Sequence, residues 1–233
     1  MNLLALAKGI IKKIYDPSAS TRQQEWWGDP AKNPFITKTP TPSPIESKKT
    51  PNPTPTPASD IVETIKSFAK EYDMPIGDMA DFIVKQQSKY PVFYDNPFAT
   101  TVTSILESSG LKKFKENPEN VYKPKQALGW GVRVPDEDYN PSTIKEVIKD
   151  YTSAIGGRNL EEEKKQYGDK IGAARYSSSQ YYEPFRQSGN IEDLASAYEP
   201  NKQSYVDNTK QWTKMLNDKL AEIRAKKIKS SKK

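Results

Sequence analysis

Apolar residues recur every three or four positions along most of this chain of 233 residues, which is the spacing of one face of an α-helix. The first clear example begins at Ser59, which is placed to cap a helix, and continues with Ile61, Ile65 and Phe68 on one face. No stretch shows the alternation of apolar and polar residues that a half-buried β-strand requires. The pattern therefore predicts a mainly α-helical fold.

Residues that favour helix ends divide this pattern into separate helices. Pro75 ends the first of them, and Thr143 and Glu146 have the spacing of a capping box. Gly157 is expected to stop the helix that this box begins, and Asn96 and Asn190 are expected to cap the helices that follow them. The predicted helices cover residues 59–72, 78–90, 96–107, 143–155, 160–174, 191–198 and 203–224.

Prolines mark a boundary in the chain. Seven of the nineteen prolines lie in residues 39–57, in Thr-Pro, Ser-Pro and Asn-Pro steps, which is typical of a semi-rigid polyproline spacer without a hydrophobic core. The predicted segments are an N-terminal amphipathic helix and docking segment (1–38), a Pro/Thr-rich linker (39–58), a helical domain (59–224) and a basic tail (225–233).

The N-terminal segment has the features of a docking element. Its apolar residues at positions 3, 4, 7, 10, 11 and 14 share one helical face, and Trp26-Trp27 lies in polar surroundings. The apolar run is too short to span a bilayer, and it lacks the flanking residues of a signal peptide. We expect residues 1–30 to bind a partner protein or a membrane surface, with packing onto their own domain as the alternative.

Composition removes several kinds of chemistry. The chain has no histidine and no cysteine, which excludes His-assisted serine or cysteine nucleophiles, disulfides, and zinc sites built on His or Cys. Acid–base chemistry therefore falls to Asp, Glu, Tyr or Lys. We expect no metal and no cofactor.

Net charge is concentrated at the two ends. Residues 1–58 carry +4, residues 59–218 carry −4 and residues 219–233 carry +6. A specific nucleic-acid binder would more naturally place its basic face on the folded part. The pattern predicts no specific nucleic-acid partner, although basic ends can bind a polyanion without specificity.

One carboxylate stands out at the end of the third predicted helix. Glu107 follows Ile105 and Leu106, and Gly110 suits the left-handed position after the helix end. Both an apolar setting and the negative end of the helix dipole raise a carboxyl pKa, as a general acid in glycoside cleavage requires. Trp130, between two glycines, can lie flat against a sugar ring. Taken alone, Glu107 is a weak signal, because a glutamate at a helix end is usually a solvated side chain.

The order of motifs in this region resembles that of the lysozyme-like peptidoglycan hydrolases, especially the glucosaminidase type. The motifs are Glu107-Ser108-Ser109-Gly110, Leu128-Gly129-Trp130-Gly131, Ile155-Gly156-Gly157, Tyr181-Tyr182, Tyr198-Glu199-Pro200-Asn201 and Tyr205-Val206. The resemblance covers about residues 95–216. Gln126-Ala127-Leu128 stands where the family has Asn-Pro-Phe, and Tyr198-Glu199-Pro200-Asn201 permutes a family motif.

The resemblance implies roles for particular residues. Glu107 would be the general acid, and Tyr181 or Tyr182 would stabilise positive charge or position water across the cleft. The substrate-binding residues would be Ser109, Gly129, Trp130, Gly131, Tyr198, Asn201 and Tyr205. For Trp130, Tyr198 and Tyr205 the alternative is a place in the core.

No second carboxylate is clearly placed by the sequence. Asp136, Glu137 and Asp138 could supply a base, but an acidic loop is usually just solvated. A mechanism with one glutamate therefore fits better, completed by the substrate's acetamido group or by 1,6-anhydro closure.

The resemblance implies a glycosidase or lytic transglycosylase that acts on peptidoglycan glycan strands. A phage-encoded lysin is the simplest source of such an enzyme without a signal peptide, located in the virion or released to the bacterial wall, with residues 1–30 docked on a virion protein or membrane surface. The alternatives are a non-catalytic virion structural or adaptor protein that binds glycan, favoured by the altered motifs, and a nucleic-acid-associated protein that acts through its basic ends.

Overall fold

Helices dominate the part of the chain that the structure describes. The computed structural model describes residues 57–116, 124–129, 141–199 and 201–230. About 80% of these residues are helical and none lies in a strand, so the predicted mainly α class is confirmed. The predicted docking segment 1–38 and almost all of the linker 39–58 lie outside the described residues. Among the described helices, none combines the length and apolarity needed to cross a membrane.

The helices are named here in chain order. They are α1 Ala58–Glu71, α2 Ala80–Gln87, α3 Ala99–Ser108, α4 Lys112–Glu116, α5 Ile144–Gly156, α6 Leu160–Tyr167, α7 Asp169–Gln180, α8 Glu183–Ser188, α9 Ile191–Tyr198 and α10 Gln203–Ser230. Short 3-10 turns occupy Pro75–Met79, Pro91–Phe93 and Pro124–Leu128.

Several predicted helix ends are confirmed. Thr143 and Glu146 form the capping box of α5, with the Glu146 N–H donating to Thr143 Oγ1 at 3.2 Å. Asn190 caps α9 by accepting the N–H of Glu192 at 3.0 Å. Gly157 ends α5 with a φ of 98°, a conformation that favours glycine. These ends depend on residues within four positions of one another, which is why the sequence predicts them.

Two predicted caps are wrong. Helix α1 begins at Ala58 with Pro57 at the cap position and no side-chain cap, so Ser59 lies inside the first turn. Helix α3 begins at Ala99 with Phe98 at its cap position. The Asn96 side chain instead donates to the Gly189 carbonyl oxygen at 2.8 Å, because a partner 93 residues away outcompetes the local helix end.

Two helix lengths also differ from expectation. The predicted helix 160–174 is two helices, because the chain turns at Gly168, whose φ is 82°. Helix α7 then continues to Gln180. Helix α10 extends to Ser230 instead of ending near Arg224, because Lys227 near its end pairs with Asp60 and Glu63 of α1 at 2.8 and 2.7 Å.

Helix α3 is almost entirely buried. Nine of its ten residues are buried, and Glu107 is the exception. Helices α1, α2, α5, α9 and α10 each supply fully buried side chains to the core as well. Examples are Ile65, Ile83, Ile148, Leu194 and Leu216. Trp212 of α10 meets Phe68 and Tyr72 of α1 edge to face, at centroid distances of 6.0 and 5.9 Å. This packing fixes the helix whose last turn carries Glu107.

Candidate functional site

Glu107 lies in the last turn of α3, just before a sharp change of chain direction. Ser109, Gly110 and Leu111 all have left-handed backbone conformations, with φ of 54°, 65° and 73°. The N–H of Ser109 donates to the Ile105 oxygen, and that of Gly110 to the Ser104 oxygen, both at 3.0 Å. These bonds close the end of the helix, so Ser109 contributes a backbone turn at the site.

Ser108 ties the following loop to the end of this helix. Its Oγ lies 2.8 Å from the Ala127 carbonyl oxygen, and it accepts the Leu111 N–H at 3.2 Å. The Tyr198 hydroxyl of α9 donates to the neighbouring Leu128 oxygen at 3.1 Å. Two bonds from different helices therefore hold the Pro124–Leu128 turn, and Gly129 follows directly from it.

Gly129 lies against the Glu107 carboxyl group. A Cβ atom built on Gly129 would stand 2.3 Å from Glu107 Oε2, and the φ of Gly129 is 57°. Both the contact and the backbone conformation require glycine here. The absence of a side chain leaves Oε2 facing an exposed glycine backbone, where a ligand can approach closely.

The other carboxyl oxygen of Glu107 is held by Tyr205. The Tyr205 hydroxyl donates to Glu107 Oε1 at 2.8 Å. The Tyr205 ring stacks on that of Tyr198, with centroids 6.1 Å apart and planes 9° apart. The Tyr198 ring in turn is buried. The orientation of the Glu107 carboxyl group is therefore fixed by α9 and α10, which lie about ninety residues or more later in the sequence.

The pKa of Glu107 is raised above its ordinary value. Burial is the largest cause, and the nearby Glu199 carboxylate raises the pKa further. The hydrogen bond from Tyr205 and the charges of Lys113 and Lys202 act in the opposite direction. The net result favours the protonated acid, as the sequence analysis predicts for a general acid.

Buried tyrosines form the wall behind the carboxyl group. The rings of Tyr151, Tyr182 and Tyr198 lie 6.0 to 6.4 Å apart, centroid to centroid. The Tyr151 hydroxyl is 2.7 Å from Thr103 Oγ1, one turn before Glu107 on α3. Burial above all, and also the Glu107 charge, raises the pKa of Tyr182 and of Tyr198. These phenols are therefore neutral and polar.

Most of the predicted site residues within the described part of the chain come together. The contacts described above link four of them, namely Glu107, Gly129, Tyr198 and Tyr205. The ring of Tyr182 adds to this group by its contact with the ring of Tyr198. Tyr181 is partly exposed, and Asn201 is exposed just after α9. Trp130 and Gly131 lie outside the described residues, as do Asp136, Glu137 and Asp138.

The sequence analysis missed several residues at this site. Tyr151 lies among the apolar positions of α5, so its spacing alone predicts a core residue and gives no sign of a place at the site. Lys113 donates to the Glu107 backbone oxygen at 3.0 Å, and Lys202 pairs with Glu199 at 3.1 Å. Glu199 had a usable signal, since it directly follows the predicted groove residue Tyr198.

The described residues offer no alternative centre of comparable chemistry. They contain no group of three or more His, Cys, Asp or Glu side chains that could hold a metal ion. A groove between α1 and α2 contains none of the candidate site residues, and the charged side chains along it, such as Lys66, Asp81 and Lys85, are exposed. Glu107, partly buried and held by Tyr205, is the better candidate for catalysis.

The site stands without support from known proteins. No protein-family model, curated protein or solved structure matches the chain. A functional conclusion therefore depends on the geometry around Glu107.

Proposed function

We propose that this protein is a peptidoglycan-cleaving glycosidase with a lysozyme-like helical domain, in which Glu107 is the general acid. The observation that supports this most strongly is the environment of Glu107: a partly buried carboxyl group whose pKa is raised, held by Tyr205 and facing Gly129. A carboxylic acid that remains protonated near neutral pH is what cleavage of a glycosidic bond requires.

The two carboxyl oxygens have different tasks in this mechanism. Oε1 accepts a hydrogen bond from Tyr205 at 2.8 Å, so the proton resides on Oε2. Oε2 faces the Gly129 backbone, where the bridging oxygen between two sugars can approach. Proton transfer from Oε2 to that oxygen lets the bond to the anomeric carbon break, and positive charge develops on the sugar ring. Tyr182 lies buried against Tyr198 behind this site, with its hydroxyl uncharged.

The substrate and setting follow the motif order described above. The glycan strand of peptidoglycan is the proposed substrate, with Trp130 as a sugar platform. Residues 1–30 would dock on a virion protein or membrane surface, and the linker would carry the domain to the bacterial wall. The protein would then be a virion-associated or lysis enzyme.

Turbidity clearance of purified cell wall tests the proposal. We expect the wild type to clear the wall and Glu107→Gln to be slower by about 10²- to 10⁴-fold, because the glutamine amide cannot supply the proton. Glu162→Gln on α6 is the matched control, since this side chain is exposed and distant in sequence from every candidate site residue. It should clear the wall at the wild-type rate.

Two results would contradict the proposed activity. A Glu107→Gln protein as fast as the wild type would show that Glu107 is not the acid. A wild-type protein that sediments with the wall but releases no sugar would instead support the non-catalytic adaptor.

A further inference from the structure

Tyr198 connects the two sides of the Glu107 carboxyl group. On one side its ring stacks on that of Tyr205, with planes 9° apart, and the Tyr205 hydroxyl donates to Glu107 Oε1 at 2.8 Å. On the other side the Tyr198 hydroxyl donates to the Leu128 carbonyl oxygen at 3.1 Å. The next residue, Gly129, lies against Glu107 Oε2. One side chain therefore reaches both carboxyl oxygens through its neighbours.

Little of Tyr198 is open to direct contact with a sugar. Only 6% of the residue is exposed, and the rings of Tyr151 and Tyr182 each lie 6.0 Å from its own, centroid to centroid. Its bond to the Leu128 oxygen is also buried. A buried carbonyl group that loses its partner is costly, because water does not replace the lost bond there. Tyr198 therefore contributes to the site through the residues that it holds.

The turn before Gly129 is held from two helices. Tyr198 of α9 holds the Leu128 oxygen, and Ser108 of α3 holds the preceding one, because its Oγ donates to the Ala127 oxygen at 2.8 Å. Gly129 has no spare room, since a Cβ atom on it would stand 2.3 Å from Glu107 Oε2. A shift of either carbonyl group would therefore change how Gly129 meets the acid.

We propose that Tyr198 is a positioning residue of the reaction, whose hydroxyl holds the Leu128 carbonyl group so that the Gly129 backbone and Glu107 Oε2 meet the bridging oxygen in a fixed geometry. This inference depends on the proposed glycosidase function. It gives the two stacked tyrosines separate tasks. Tyr205 fixes the acid, and Tyr198 fixes the backbone that faces it.

The two tyrosines should differ in their effect on pH dependence. Burial is the largest cause of the raised pKa of Glu107, and the side chains with the largest effects on it are Tyr205, Glu199, Lys113 and Lys202. Tyr198 adds no charge, because burial above all raises its own pKa. Loss of the Tyr198 hydroxyl should therefore leave the alkaline limb of kcat/KM in place, whereas loss of the Tyr205 hydroxyl should move it to higher pH.

Steady-state kinetics on soluble glycan strands from peptidoglycan test the assignment. Tyr198→Phe keeps the ring and loses only the hydroxyl. We expect kcat to fall about 10- to 10²-fold, KM to stay within about 2-fold and the alkaline limb not to move, because the geometry at the acid changes and not its protonation. Ser108→Ala releases the same turn from α3 and should give the same pattern. Tyr72→Phe is the control, since it removes a tyrosine hydroxyl from α1, and it should keep the wild-type kinetics.

Amide exchange in residues 125–129 provides a readout that does not depend on cleavage. Exchange there should be faster in Tyr198→Phe and in Ser108→Ala than in the wild type, because each variant frees one carbonyl group of the turn. The Tyr72→Phe control should exchange at the wild-type rate.

The outcomes separate this inference from the general proposal. A Tyr198→Phe protein with the wild-type kcat, with a change in KM alone, or with a displaced alkaline limb would overturn the positioning role and leave Glu107 as the acid. If Tyr198→Phe does not fold, Ser108→Ala decides by the same criteria. A wild type without any cleavage would refute the glycosidase function itself, and the exchange rates would still show whether Tyr198 holds the turn.

Discussion

The behaviour of Glu107 results from opposing influences on a single carboxyl group. Burial raises its pKa, whereas the hydrogen bond from Tyr205 lowers it. The same hydrogen bond fixes Oε1, which in the proposed mechanism leaves the proton on Oε2. In the proposed mechanism, Tyr205 therefore lowers the pKa of the acid but fixes its geometry, to which a reaction of this kind is sensitive at shifts of about 1 Å.

Replacement of Tyr205 by phenylalanine separates these two effects. The pKa of Glu107 should rise further, because a hydrogen bond to its charged form is lost. The alkaline limb of kcat/KM should then move to higher pH. The maximal rate should fall about 10-fold or more, because the carboxyl group is no longer fixed. A pH–rate profile measures both, with Tyr176→Phe on α7 as the control. An alkaline limb that moves to lower pH would contradict this account.

At the scale of elements, charge pairs extend α10 beyond its apolar stripe. Asp60 of α1 accepts hydrogen bonds from Arg224 at 3.2 Å and Lys227 at 2.8 Å. Lys219 reaches Glu71 at the other end of α1, at 3.0 Å. The last two turns of α10 bury only Ile223 among their side chains, so they depend largely on these pairs.

Asp60→Asn should loosen the end of α10. The hydrogen bond from Lys227 is the largest reason that the pKa of Asp60 is lowered below 3.8 in the folded protein. The resulting stability is present above the unfolded pKa and is lost as pH falls through the folded one. We expect faster amide exchange in residues 221–230 at neutral pH and a melting temperature lowered by no more than about 4 °C.

The control for this variant is Asp169→Asn, whose nearest lysine contact is 4.0 Å away. The difference between wild type and Asp60→Asn should disappear in acid and shrink in high salt, because the pairs are partly exposed. Unchanged exchange at the end of α10 would show that Ile223 alone holds this segment.

At the scale of the whole domain, a buried ion cluster attaches the α6–α7 hairpin. Asp150 of α5 pairs with Arg158 and, at 2.5 Å, with Arg175 of α7, while Glu163 of α6 lies 2.5 Å from Arg175. The Tyr167 ring covers Arg175 at 3.9 Å. No side chain of α6 is fully buried. Ion pairs therefore hold the α6–α7 hairpin on the domain, whereas apolar side chains hold the other helices.

Asp150→Asn should destabilise the domain by about 3–5 kcal/mol, because two buried guanidinium groups would lose a shared anion. Denaturant unfolding measures this loss, and the exposed Glu161→Gln on α6 should cost less than about 0.5 kcal/mol. A loss below about 1 kcal/mol for Asp150→Asn would mean that the hairpin is held chiefly by other contacts.

The sequence by itself determined the helical class and many helix ends. The capping box of Thr143 and Glu146, the cap at Asn190 and the stop at Gly157 are all set by residues within a few positions. Apolar spacing also placed the buried faces of α1 and α3 correctly. Such features follow from local geometry, which a single stretch of sequence contains.

Only the tertiary structure decided what surrounds Glu107. Its hydrogen bond from Tyr205 joins residues 98 apart, and the bond from Tyr198 to Leu128 joins residues 70 apart. The influence of the Glu199 charge, which raises the pKa of Glu107, likewise depends on where the fold places the end of α9. Periodicity indicates which face of a helix is buried but not which helix it meets. The sequence therefore singled out Glu107 as a candidate, and the placement of α9 and α10 in the fold supplied the contacts around it.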